Sequence, residues 1–192
     1  SGIPIDPVFY AEKNTDTIKQ RLGVMPNAPI ILVLSGGHGM AKIDETVTTL
    51  SHMQTPATII AIAGDNPSLV KKLSALKIPK HIRFIPIGWT DTIDDYMRIA
   101  DVIVTKAGGI TVSECMAMGK PMILVSPIPG QEDHNARYVV EHGFGKIAAN
   151  AEDVLAYVNE YGNGKKSVTT QQKTSRERAG KIILEQIKNS LY

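Results

Sequence analysis

The feature that most constrains this chain is a set of short apolar runs that do not alternate with polar residues. They are "PIILVLS" (Pro29–Ser35), "ATIIAIAG" (Ala57–Gly64) and "PMILVS" (Pro121–Ser126). A strand with one wet face alternates; a strand rich in Ile and Val without alternation is covered on both faces, as in a parallel sheet. Weaker strand candidates are "IRFIPIG" (Ile82–Gly88), "DVIVT" (Asp101–Thr105) and Lys146–Ala149. Segments of helical length lie between them: Ala41–Met53, Pro67–Leu76, Asp91–Ala100, Ile110–Met118, Gln131–His142, Glu152–Tyr161 and Val168–Ser190. The alternation predicts an α/β fold, a doubly wound, Rossmann-like parallel sheet with right-handed crossovers.

"YGNGKKS" (Tyr161–Ser167) reads as a mobile loop. At the other end, "SGIPIDPVF" is proline-rich and reads as extended, and a short helix (Glu12–Leu22) precedes the first strand. Residues 1–28 are therefore expected to be an interdomain linker and leading helix, and residues 29–192 one domain of a longer chain.

Composition excludes several classes. The 192 residues favour a single domain, and 43 % hydrophobic with 21 % charged residues is the balance of a soluble globular protein. A net charge of +2 gives no reason to expect a nucleic-acid partner. The lone Cys115 rules out an intramolecular disulfide and a zinc ribbon, and it suits a reducing cytoplasm. No apolar run approaches the roughly 18–20 residues of a membrane span. The first residues lack the basic and apolar regions of a signal peptide.

In an open parallel sheet a ligand lies beyond the carboxyl ends of the strands, where the strand order reverses. Two glycine turns fall at that edge: "SGGHGM" (Ser35–Met40), holding Gly36, Gly37, His38, Gly39 and Met40, and "KAGG" (Lys106, Ala107, Gly108, Gly109). Each opens a helix. Glycines let backbone N–H groups approach an anion, and the helix start adds unpaired donors and a partial positive charge. Two such turns side by side suit a diphosphate. The bland alternative is that they only permit tight strand-to-helix turns. Named nucleotide motifs are missing. A dinucleotide fingerprint counted from Gly37 meets Lys42 where the third glycine belongs, and no G-x-x-x-x-G-K-[ST] occurs.

Thr111-Val112-Ser113-Glu114 matches the capping box S/T-x-x-E, which local pattern alone favours. The functional alternative is a Glu114 carboxylate that accepts from a ribose diol. After the third apolar run, "PIPGQEDHNARY" (Pro127–Tyr138) sets Gly130, Gln131, Glu132 and Asn135 around a predicted helix start. Glu132 and Asn135 are spaced to share a face, and such groups read sugar hydroxyls or else favour the helix dipole. Asp91, Asp94 and Asp95 take the dipole reading and define no metal site.

With "SGGHGM", "TKAGGITVSE" (Thr105–Glu114) and "PIPGQEDHN" (Pro127–Asn135) in this order, the chain resembles the C-terminal, donor-binding half of two-domain GT-B glycosyltransferases. The likeness is to the family of monogalactosyldiacylglycerol synthase and the processive diacylglycerol glucosyltransferases, related to the peptidoglycan N-acetylglucosaminyltransferase. It implies that Gly36 to Met40 face the diphosphate and acceptor cleft and that Ala107, Gly108 and Gly109 offer amides to the phosphates, with Lys106 beside them. It also implies that Trp89 and Thr90 meet the uracil edge, Ile110 packs on base or ribose, Glu114 holds the ribose, and Gln131, Glu132 and Asn135 read the transferred sugar. Asp6 stands where some members have arginine, and Ala107 where others have serine.

The implied reaction is inverting transfer of a hexose from a UDP-sugar to a lipid hydroxyl such as that of diacylglycerol. The donor is a substrate; no metal or other cofactor is implied. The base and the lipid site belong to an N-terminal acceptor domain outside these residues, so this chain alone is expected to bind donor without turnover. The whole enzyme is expected to be cytoplasmic and peripheral on the inner face of the membrane. The alternatives are a donor-binding subunit of a two-polypeptide transferase, half of a UDP-sugar epimerase or hydrolase, or an unrelated α/β domain.

Overall fold

The five residues of β1 (Ile30–Leu34) are all buried, and they split between two cores because successive strand side chains point to opposite faces. Ile30, Leu32 and Leu34 join one hydrophobic cluster; Ile31 and Val33 join the other. Each such side chain contributes about 1.5–3 kcal/mol on burial, so a strand apolar at every position is worth most where both faces are covered. The computed structural model describes residues 3–35, 43–125, 130 and 132–162. The expectations for Gly36 to Met40, Pro127, Pro129, Gln131 and Val168–Ser190 lie outside those residues.

The sheet continues with β2 (Ala57–Ile62), β3 (Ile82–Ile87), β4 (Val102–Thr105), β5 (Met122–Val125) and β6 (Gly145–Ala148). All pairings are parallel, in the order β3-β2-β1-β4-β5-β6. The chain steps outward from β1 to β3, returns to lay β4 against the other side of β1, and steps outward again. The order therefore reverses between β1 and β4, and the doubly wound expectation holds.

The helices are α1 (Thr15–Leu22), α2 (Ile43–Leu50), α3 (Pro67–Ser74), α4 (Ile93–Ile99), α5 (Gly109–Met118), α6 (Asp133–Glu141) and α7 (Ala151–Gly162). Residues of α1, α4, α5 and α6 pack in the first cluster, while those of α2, α3 and α7 pack in the second. Several ends move inward from expectation. Helix α1 starts at Thr15 because the Asn14 side chain accepts from the N–H groups of Asp16 and Thr17 and fixes the start there.

The leading segment differs from its sequence reading. Pro7–Tyr10 forms a 3-10 turn rather than extended chain, and Phe9 and Ile18 are buried in the first cluster. Asp94 and Asp95 keep the first-turn place of the dipole reading and take on a further role. They lie in the first turn of α4 but are only 3 % and 4 % exposed. The Lys13 ammonium bridges both at 2.6 Å, and Arg21 pairs with Asp95. Burial pushes Asp95 up, but hydrogen bonds from Lys13 and Arg21 outweigh it and leave the carboxyl below its usual range. These acids fasten residues 3–22 to the sheet domain, which is more than a helix dipole asks of them.

Candidate functional site

Because β1 and β4 are parallel neighbours in the register Val33 with Val104, their carboxyl ends, Leu34 and Thr105, lie side by side at the reversal point. The second glycine turn leaves from here. Lys106, Ala107 and Gly108 follow Thr105 directly, and α5 begins at Gly109 with Gly108 as its N-cap. Thr105 itself is buried, with a hydroxyl that finds no hydrogen-bond partner among the described residues. The sequence reading passed over it because a threonine ending a strand carries no local signal.

The start of α5 corrects the capping-box expectation. The N-cap is Gly108, which has no side chain to cap with, and not Thr111. The helix begins two residues before Thr111, which places Glu114 in the second turn, beyond reach of the first amides. The chain thus enters the helix earlier than the S/T-x-x-E pattern indicated. Among the described residues no side chain is recorded as an acceptor for the first-turn N–H groups, and no acidic residue lies in that turn. Gly109 is also closely packed: a Cβ there would stand 2.7 Å from Ile3 Cδ1 and 3.5 Å from Asn135 Nδ2.

Ile110 and Glu114, four apart, share one face of α5. Ile110 is exposed, and Glu114 is half-buried. Burial lifts the Glu114 carboxyl from 4.5 to about 7. Thr111 lies beside them, half-buried, and the Ser113 hydroxyl donates to the Gly109 carbonyl at 2.8 Å.

The third cluster closes on the same turn. Gly130, at φ +80, donates its N–H to Asp133 Oδ2 at 2.8 Å, which fixes the approach to α6. Glu132 precedes the helix and is only 4 % exposed. Its Oε1 lies 3.0 Å from Lys106 Nζ. One helical turn on, Asn135 Nδ2 donates to the Ala107 carbonyl at 2.9 Å. Two residues on one side of the α6 start therefore hold two consecutive residues of the glycine turn. Lys106 points at a carboxylate, and the Asn135 side-chain amide gives one of its N–H groups to backbone.

Trp89 and Thr90 follow β3, the outermost strand on that side of the sheet. Trp89 is 74 % exposed, and the Thr90 hydroxyl lies 3.2 Å from that of Thr92. Among the described residues no hydrogen bond ties this segment to the α5–α6 cluster. Lys106, Ala107, Gly109, Glu132 and Asn135 are brought together; Ile110, Thr111 and Glu114 line the adjoining helix. Gly36 to Met40 and Gln131 lie outside the described residues. No group of His, Cys, Asp or Glu able to hold a metal occurs among the described residues, and none of their helices is long and apolar enough to cross a membrane.

Comparison with known proteins gives the family. The family model described as glycosyltransferase family 28 C-terminal domain matches residues 30–186. A processive diacylglycerol beta-glucosyltransferase of Bacillus pumilus is 32 % identical over 158 residues, 82 % of this chain and 41 % of that protein. One of Staphylococcus aureus strain Newman is 32 % identical over 178 residues, 92 % of this chain and 45 % of that protein. The chain thus spans less than half the length of these relatives. Among solved structures, MurG of Acinetobacter baumannii superposes with a TM-score of 0.62 at 19 % identity, covering 79 % of this chain and 45 % of that one. WaaG, a glycosyltransferase involved in lipopolysaccharide biosynthesis, gives 0.63 at 16 % identity, covering 84 % and 46 %. These two likenesses are of fold.

Proposed function

The chain belongs to the glycosyltransferase family 28 C-terminal domain family, and from that premise we propose that it is the nucleotide-sugar-binding half of an inverting hexosyltransferase that acts on a lipid acceptor. One observation carries the reading: α5 opens uncapped at the β1–β4 reversal, with the Glu132 and Asn135 side chains drawn against its glycine turn. An uncapped helix start at a topological switch point is suited to a diphosphate.

The charge that grows on the leaving UDP is the main electrostatic demand of the reaction. Preorganised amides of Gly108 and Gly109 and the positive end of α5 stabilise it without reorganising. The reading asks for no metal and no cofactor beyond the donor substrate. Glu114 and Ile110, on one face of α5, receive the ribose and base, with Trp89 and Thr90 at the uracil. Glu132 supplies acceptor atoms to the hexose. Gly36 to Met40 and Gln131 keep the roles that the resemblance gives them.

The names of the two bacterial relatives support a diacylglycerol-type acceptor and a glucosyl donor. The acceptor site and the general base fall to the N-terminal domain, whose membrane contact is peripheral. The test is calorimetric titration of this chain with UDP, UDP-glucose, UDP-galactose and UDP-N-acetylglucosamine. Glu114→Ala weakens all four, whereas Glu132→Ala weakens the sugars and spares UDP. Equal losses in both variants overturn the assignment.

A further inference from the structure

Glu132 is nearly inaccessible at the head of α6, and Lys106, with a side chain 25 % exposed, stands 3.0 Å from its Oε1. A carboxylate so buried is tolerated only where a cation or hydrogen bonds answer it. We infer that Lys106 is a positioning residue of the hexose subsite: its ammonium holds the Glu132 carboxylate where a sugar hydroxyl meets it, and it does not grip the diphosphate. The inference rests on the donor-binding reading and deepens it.

Two observations separate this role from that of a phosphate lysine. To reach a phosphate, Nζ would have to leave the nearly buried Glu132 carboxylate 3.0 Å away, and parting a buried ion pair is costly. The neighbouring bond from Asn135 Nδ2 to the Ala107 carbonyl, 2.9 Å, then fixes the glycine turn against α6 one residue further along. The place of Lys106 beside Glu132 is thus set by backbone as well as by charge.

The experiment measures Kd for UDP, UDP-glucose and UDP-galactose by calorimetry on the full 192-residue chain. Wild type is compared with Lys106→Met, Lys106→Arg, Glu132→Gln and the Lys106→Met/Glu132→Gln pair, with thermal unfolding to verify folding. Lys106→Met shifts UDP by less than about threefold and weakens a UDP-hexose by about tenfold or more, and Lys106→Arg recovers most of that loss. In the Glu132→Gln background the lysine substitution adds little, because the two act as one unit. Should Lys106→Met not fold, Glu132→Gln must still show the hexose-selective loss, and Lys106→Arg must still stay near wild type.

Lys106→Met weakening UDP and UDP-hexose by one common factor, or weakening neither, overturns the inference while leaving the donor reading standing. A wild-type chain that binds no UDP overturns both.

Discussion

The side-chain amide of Asn135 donates to the backbone carbonyl of Ala107 at 2.9 Å, joining the head of α6 to the turn between β4 and α5. Asn135→Ala removes the donor and costs about 1 kcal/mol of stability, the net worth of one such bond. Asn135→Asp costs more, since an acceptor-only carboxylate then faces a carbonyl oxygen. Urea unfolding of both variants checks the order, and an aspartate variant as stable as wild type would remove the clamp from the account.

Asp95 tests whether residues 3–22 belong to the folded unit. With Lys13 and Arg21 paired to a nearly buried carboxylate, Asp95→Ala costs about 3 kcal/mol. The exposed Asp91→Ala changes stability by less than about 0.5 kcal/mol. Because the folded Asp95 carboxyl lies below its usual range, its contribution is present above the unfolded value and disappears as pH falls through the folded one. Acid titration of wild type and Asp95→Asn, followed by circular dichroism, reads that difference.

Glu114 has the opposite sign. Its folded value is raised from 4.5 to about 7, so its contribution is whole below about pH 4.5 and is lost as pH rises through about 7. Glu114→Gln flattens that part of the stability profile. A ribose diol donating to this group favours the carboxylate, so UDP-hexose binding strengthens about tenfold between pH 6 and pH 8 in wild type and not in Glu114→Gln. A UDP-hexose is the right probe, since its diphosphate is esterified at both ends and does not titrate there. Calorimetry at the two pH values decides it, and equal slopes in both proteins would count against a ribose contact.

Gly145 begins β6 against the backbone of β5. A Cβ there would overlap the Met122 carbonyl, a group that cannot swing away as a side-chain tip can. Gly145→Ala therefore costs about 2–3 kcal/mol through local distortion. Gly119→Ser probes an open site, with nothing near its Cβ, and tests only its positive φ. Thermal unfolding that ranks Gly119→Ser as the worse of the two would show that β6 yields more easily than its packing implies.

Much of the architecture was legible because its cause is local. Continuous apolar runs at Pro29–Ser35, Ala57–Gly64 and Pro121–Ser126 can be satisfied only by strands covered on both faces, and those are β1, β2 and β5. The alternation with helical segments fixed the βαβ order. The start of α5 was legible to within one residue, at Ile110 against Gly109, but its cap was misread because S/T-x-x-E also matches a sequence inside a helix already begun. The first residues were read as extended because prolines mark irregular chain without giving its conformation, whereas Pro7–Tyr10 turns into a 3-10 helix and buries Phe9.

The amino-acid order alone determined that this chain forms a two-faced parallel sheet with glycine-rich stretches following the strands that become β1 and β4. Hydrophobic period and turn chemistry act between near neighbours and need no knowledge of the rest. Only the tertiary structure decided that Lys106 faces Glu132, that Asn135 holds Ala107, and that Lys13 sits between Asp94 and Asp95. Those partners meet because the crossovers bring distant segments to one rim or one face, and where a side chain points there depends on packing that no local pattern encodes.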